Sequence, residues 1–415
     1  MTVLFTHISK LVGIGEHNGP IRGRALAELA SIDDAYLLVE DGVIAGFGPM
    51  YELELRVPQL PKNVMDVFGQ MVLPCWCDSH THLVFAGSRE DEFIDKIKGL
   101  SYAEIAAKGG GILNSAKKLQ DTPEEELYKA ALTRLNQLAA LGTGAIEIKS
   151  GYGLSVEAEL KMLRVIKKLK QQSDVKIKAT FLGAHTYPAL YKENHEGYLR
   201  EIIDEMLPVI AGEQLADYID VFCETGFFSP EEMTTICKAG AAYQLKPKLH
   251  VNQLNSIGAI EAGIKLQALS LDHLETLTDD EIQLLGAYKG CSTLLPTAAF
   301  FLRMQFQPAR KLIDAGAAVT LASDFNPGSS PSGNMNLVNA ISCIQMKMLP
   351  EEVINASTLN GACAMELENQ VGSIKIGKTA NLIFTKPVPS LAYLFYSFGA
   401  NHIDKVMLNG NWVKA

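Results

Sequence analysis

The residues with the clearest capacity for chemistry are Asp78-Ser79-His80-Thr81-His82. They close an apolar run over 71–77 that reads as a buried strand. Successive side chains on a strand point to opposite faces, so His80 and His82 project to one side. Two imidazoles placed in this way can hold a metal ion, and zinc or iron suits them. A pair of ordinary surface histidines is the plain alternative. Asp78 has two readings as well, a cation contact or a turn cap.

The positioning elements decide how much weight that pair deserves. Between residues 71 and 322 the chain alternates strands with helices. Strands are expected at 71–77, 144–148, 176–182, 218–223, 247–251, 268–271, 291–295 and 318–322. Helix starts are marked by Thr122-Pro123-Glu124-Glu125, Ser229-Pro230-Glu231-Glu232 and Thr278-Asp279-Asp280-Glu281, each with an acidic residue three positions after a hydroxyl. Ser155 opens a further helix over 156–171. Eight alternations predict an α/β fold, a (β/α)8 TIM-type barrel. No Gly-x-Gly-x-x-Gly follows the first strand, which argues against a doubly wound dinucleotide-binding sheet.

Both ends of the chain are β-rich. Asp41-Gly42 and Asn409-Gly410 are tight-turn dipeptides between apolar runs, and 381–385 adds another strand. Neither end is long enough for a comfortable core alone. A small composite β-sandwich domain from residues 1–70 and 375–415 is therefore expected beside a barrel over 71–374.

In such a barrel the chemistry lies at the C-terminal strand ends. Five of the nine histidines fall there: His80, His82, His185, His250 and His273. Lys149, Glu224 and Asp324 end other strands. His80, His82, His250 and Asp324 form a donor set that leaves a coordination position for water, as catalytic sites require. A bound cation brings the pKa of water from 15.7 towards about 7. Asp324 is then near enough to accept the proton, and His273 is placed to polarise or protonate the reacting group. The pattern describes metal-assisted hydrolysis. Taken singly, His185 could be a satisfied loop histidine, and His273 could pair with Asp272 or Glu275. Lys149 is expected in a structural bond, and Glu224 is open to a second cation. Cys75 and Cys77 are read as core, while His195 and His402 are read as surface residues.

Two loops bear on the substrate. Arg89 could clamp a carboxylate bidentately or make a surface salt bridge. The 324–331 loop could cradle an anion with its amides or be a simple turn. Gly109-Gly110-Gly111 is either part of a lid or a connection.

The bulk numbers bound the rest. The chain has 415 residues, 47% hydrophobic content, and 37 basic against 47 acidic residues for a net charge of −10. No basic run invites nucleic acid or an anionic membrane. No apolar run reaches the length of a membrane span, and the N-terminus does not read as a signal peptide. Seven scattered cysteines fit a reducing compartment, so a cytoplasmic location is expected.

The chain resembles the imidazolonepropionase family of the amidohydrolase superfamily, across essentially its whole length. The resemblance rests on 78–89, on Ser101-Tyr102-x-Glu104-Ile105 before Gly109-Gly110-Gly111-Ile112, and on Lys149-Ser150-Gly151-Tyr152-Gly153-Leu154. It also rests on Leu182-Gly183-Ala184-His185, Asp220-Val221-Phe222-Cys223-Glu224, Ser270-Leu271-Asp272-His273-Leu274-Glu275 and Ser323-Asp324-Phe325-Asn326-Pro327-Gly328. It implies hydrolytic opening of 4-imidazolone-5-propanoate to N-formimidoyl-L-glutamate, in histidine degradation. It implies one zinc or iron ion, divalent or trivalent, on His80, His82, His250 and Asp324. It further implies substrate contacts from Arg89, Tyr152, His185, Asn326, Gly328 and Ser329. The partner is then a small molecule with a carboxylate arm, and a homodimer is left open. One departure stands out. Many relatives carry glutamate three residues after the strand-5 histidine, whereas this chain has Gln253, which can contact substrate but cannot exchange a proton. That weakens the alternatives of an aminohydrolase acting on another nitrogen heterocycle; a non-catalytic ligand-binding relative is a more distant one.

Overall fold

The protein was analysed as a computed structural model that describes residues 2–16, 19–100, 104 and 110–414. The motif residues Ser101, Tyr102 and Ile105, and Gly109 of the glycine run, lie outside the described residues.

Five strands precede the barrel: β1 (Thr2–Val12), β2 (Ser31–Glu40), β3 (Val43–Pro49), β4 (Val64–Asp66) and β5 (Met71–Pro74). Eight build it: β6 (Trp76–Asp78), β7 (Thr143–Lys149), β8 (Lys176–Ala184), β9 (Tyr218–Cys223), β10 (Lys246–Val251), β11 (Ser270–His273), β12 (Cys291–Leu294) and β13 (Ala318–Leu321). Three follow: β14 (Leu382–Thr385), β15 (Ile403–Leu408) and β16 (Asn411–Trp412).

The strands from the two ends form one sheet in the order β16-β15-β14-β5-β1-β2-β3, with β4 alongside β1. It curls enough for Phe5 on β1 to meet Trp412 on β16, ring centroids 5.9 Å apart. The hairpin turns of the two ends touch. Gly42 and Gly410 both have positive φ, 81° and 76°. A Cβ on either would run into the other turn's backbone, so glycine is needed for conformation and for approach.

The run over 71–77, expected as one strand, is two. β5 pairs with β1 and β14, whereas β6 pairs with β7. The switch occurs between adjacent amides: Cys75 N–H donates to Asn381 O at 3.0 Å and Trp76 N–H to Gly142 O at 2.9 Å. Pro74 has no N–H to continue the ladder. The first barrel strand thus grows directly out of the terminal sheet.

All neighbouring pairs from β6 to β13 are parallel. Closure comes from residues just past the first and last strands. Asp324 N–H donates to His80 O at 3.0 Å, and His82 N–H to Phe325 O at 2.9 Å. Asp78 clips the same seam, accepting from Ser323 N–H at 3.0 Å and Ser323 Oγ at 2.6 Å. Helices surround the barrel. Ser229 and Thr278 make full capping boxes with Glu232 and Glu281, and Ser155 accepts from Ala158 N–H. Thr122 does not cap as expected. Its hydroxyl donates back to Lys118 O at 2.6 Å, and Pro123 takes the cap position. Among the described residues, no helix is long and apolar enough to cross a membrane.

Candidate active site

The interior of the barrel is charged. Period-two spacing sends Glu147 and Lys149 on β7 to one face, and likewise Lys248 and His250 on β10. Lys149 Nζ lies 2.8 Å from Glu147 Oε1 and 2.8 Å from Asp220 Oδ2, and 3.7 Å from Asp272 Oδ2. Lys248 Nζ reaches Glu147 Oε2 at 3.2 Å. All of these side chains are wholly buried. Burial alone would pull the Lys149 pKa down, but the surrounding carboxylates of Asp220, Glu147 and Asp272 hold it well above the ordinary lysine value.

This layer supports the histidines above it. His80 Nδ1 lies 2.6 Å from Asp272 Oδ2, and His250 Nδ1 lies 2.7 Å from Asp220 Oδ2. A carboxylate on Nδ1 fixes the tautomer and leaves Nε2 as the free lone pair. The two Nε2 atoms then face each other at 3.1 Å. Two lone pairs at that distance repel unless a cation sits beside both. Asp324 Oδ1 is 3.6 Å from His80 Nε2 and 3.6 Å from His82 Nε2. His80, His82 and His250 form one compact donor group, and His80, His273 and Asp324 form another. Burial, with the Lys149 ammonium nearby, pushes His80 and His82 well below the ordinary histidine value, and burial brings His250 to about 4. The imidazoles are therefore neutral and ready to ligate. This chemistry fits a metal ion on His80, His82, His250 and Asp324.

His273 lies beside the group, its ring centroid 5.1 Å from that of His250. Its Nδ1 is 3.3 Å from Glu275 Oε1, which also accepts from Gln307 Nε2 at 2.9 Å. Burial opposes its protonation, but the Glu275 carboxylate outweighs that and raises its pKa. Burial raises Asp324 to about 6. Four residues at or just past strand ends hold positive φ: Asn252 at 53°, His273 at 87°, Leu274 at 64° and Asp324 at 53°. Backbone strain of this kind gathers at functional sites.

A cavity of about 670 Å³ opens over these residues. His82, Arg89, Tyr152, His185, His250, Gln253, His273, Asp324, Asn326, Gly328 and Ser329 all line it. His80 lies beneath, fully buried. His185 stacks on His82 with centroids 5.3 Å apart, and its Nδ1 is 2.9 Å from Gly151 O. Burial lowers its pKa to about 3, so it faces the cavity neutral. Burial likewise keeps the Tyr152 hydroxyl protonated.

Several open questions close here. Asp78 is the barrel clip, with both oxygens on Ser323. Glu224 accepts from Thr225 N–H, Leu254 N–H, Asn255 N–H and Asn255 Nδ2, so its oxygens are occupied by loop donors. Cys75 and Cys77 are buried thiols whose pKa values burial raises, Cys77 to about 12. In the 324–331 loop the amides of Gly328 and Ser329 both donate to Asn326 Oδ1 at 2.8 Å. Those amides build a turn, not an anion cradle. Arg89 is nine-tenths buried, bonded to Glu92 at 2.5 Å through Nη2, with its Nε unpartnered among the described residues. A Cβ at position 328 would overlap its Nη1, so Gly328 makes room for the guanidinium. Asp220, Asp272, Glu275 and Lys96 were not singled out as site residues from sequence. The signal for the two aspartates was present, as charged residues inside otherwise apolar strands.

Comparisons with known proteins bear on the fold and the family. The model of the Amidohydrolase family matches residues 71–413. The chain is 53% identical over 412 residues to imidazolonepropionase of Flavobacterium johnsoniae, covering 99% of both chains. It is 51% identical to that of Christiangramia forsetii over 100% of both, and 40% identical to that of a Geobacillus strain over 98% and 96%. Among solved structures, E. coli guanine deaminase matches with a TM-score of 0.75 at 14% identity, covering 100% of this chain and 99% of that one. A zinc-bound adenosine deaminase from Xanthomonas campestris matches with a TM-score of 0.71 at 16% identity, covering 99% and 92%. The two deaminases share the fold; the three curated relatives share the whole sequence at high identity, and on that basis the chain belongs to the imidazolonepropionase family of the amidohydrolases.

Proposed function

We propose that the protein opens the ring of 4-imidazolone-5-propanoate by adding water across its amide C–N bond, giving N-formimidoyl-L-glutamate. One observation carries the reading: the compact group of His80, His82 and His250, with Asp324 3.6 Å from His80 and His82, opens through His82, His250 and Asp324 onto a cavity that a nine-tenths-buried arginine also lines. The first suits hydrolysis, and the second suits a carboxylate arm.

Zinc or iron on His80, His82, His250 and Asp324 supplies, when bound, a Lewis acid that activates water and polarises the ring carbonyl. Asp324, which lies beside the donor group and lines the cavity, takes the proton of the attacking water and returns it to the leaving ring nitrogen. His273, oriented by Glu275, donates a hydrogen bond to the oxygen as negative charge develops there. Arg89 holds the propionate and Tyr152 bounds the ring, so remote binding energy aligns the carbonyl. Gln253 lines the cavity as a neutral contact.

The test is a direct ring-opening assay on pure protein with bound metal quantified in the same sample. Ring opening without ammonia, in proportion to metal, is expected. Ammonia release from a heterocyclic amine, or full activity without metal, would overturn the reading.

A further inference from the structure

The wall of the cavity that carries Arg89 holds a second cation. Arg89 precedes the helix Glu90–Ile97, and Lys96 lies two turns along it. Both side chains line the cavity. Lys96 Nζ donates to Gly328 O at 3.3 Å, the same glycine against which the Arg89 guanidinium rests. Phe301, another lining residue, lies under the ammonium with its centroid 5.7 Å away, and Phe93 stacks on Phe301 at 5.5 Å. The amine is half-buried between a carbonyl and an aromatic wall.

The charges on this wall do not balance. Glu92 is the carboxylate that faces both cations. Its Oε2 is taken by Arg89 and its Oε1 by Gly111 N–H at 2.9 Å. Among the described residues two positive charges thus share the Glu92 carboxylate, in a chain whose net charge is −10. Among the described residues the buried Arg89 Nε is unpartnered, and the Lys96 ammonium has a long bond to a neutral carbonyl with the Phe301 ring beneath it. The surplus is one positive charge, equal and opposite to a single carboxylate.

We propose that Lys96 is a substrate-binding residue, which completes with Arg89 a two-cation seat for the carboxylate arm and sets the preference for anionic over neutral imidazolones. This rests on the ring-opening reading. The alternative is that Lys96 merely braces the loop through Gly328 O, in which case it would be blind to ligand charge.

The test uses the full-length, metal-loaded enzyme. The imidazolone substrate is assayed kinetically, and 3-(imidazol-4-yl)propanoate and its carboxamide are compared in direct binding. Wild type is expected to favour the carboxylate over the carboxamide. In Lys96→Gln, carboxylate affinity should fall about tenfold, the scale of a lost hydrogen bond to a charged group, with the carboxamide barely affected. KM should rise more than kcat falls, and Lys96→Arg should restore most of the preference. Equal loss for both ligands, or no loss for either, overturns the proposal while leaving ring opening intact. A wild-type enzyme that does not turn over the imidazolone overturns the underlying reading instead.

Discussion

On the proposed reaction, replacing Asp324 by alanine is expected to cut turnover by about 10³-fold or more, because it would remove the proposed proton carrier and metal donor together. Assay and metal content measured on one preparation check both losses. Asp272→Asn probes the layer below. It leaves the four donors in place but weakens the hold on His80 Nδ1. Metal affinity should fall about 10- to 100-fold, the usual cost of losing an orienting carboxylate, and a competition titration with a chelator would read it. If affinity is unchanged, Asp272 is only filling the barrel. Arg89→Ala should raise KM about tenfold or more with a smaller change in kcat. At this scale the gathering of His80, His82 and His250 was legible in sequence because His-x-His and the strand-end rule act locally. Glu275 behind His273 was legible only as one of two candidates, since adjacent Asp272 offered the same charge. The structure separates them: Asp272 turns to His80, and Glu275 turns to His273.

The helix caps give a paired test of how elements are built. The hydroxyls of Ser229 and Thr278 each accept from the N–H of the glutamate three residues on, and their own N–H donates back to its carboxylate. Ser229→Ala or Thr278→Ala should cost about 1 kcal/mol, seen as a lower midpoint in denaturant. Thr122→Ala should cost much less, because Thr122 caps nothing. The three start motifs look alike in sequence, and only the backbone conformation at Pro123 tells them apart. The same holds for 71–77. Its apolar content announced a buried strand, but the partner of each amide depends on Asn381 and Gly142, which lie far along the chain. Local pattern predicts that a segment is extended, not which of two sheets receives it. The 324–331 loop is a similar case. Its turn residues were plain, yet its amides are spent on Asn326.

Across the whole molecule, acid stability follows from carboxyls locked into caps. Burial would raise Glu232 and Glu281, but hydrogen bonds from the cap backbone and from Tyr187, Ser256 and Asn252 outweigh it and hold both below the ordinary value of 4.5. A carboxyl whose pKa is depressed by folding contributes stability above its unfolded pKa and loses it as pH falls through the folded one. The contribution of these two carboxyls should therefore be full above about pH 4.5 and be lost below it, and Glu232→Gln should shrink that acid-side decline. Thermal midpoints from pH 3 to 7 would check it; an unchanged slope in the variant counts against the assignment. The interleaved order of the terminal sheet carries a consequence for biosynthesis. β1, β2 and β3 leave the ribosome first, yet β14, which completes the sheet against β5, lies more than 300 residues downstream. At about 5–20 residues per second, translation leaves those strands with an open edge for roughly 15–70 s. Nascent chains stalled before residue 382 should expose the hydrophobic face around Phe5 to chaperones, and should bury it only once the last strands emerge.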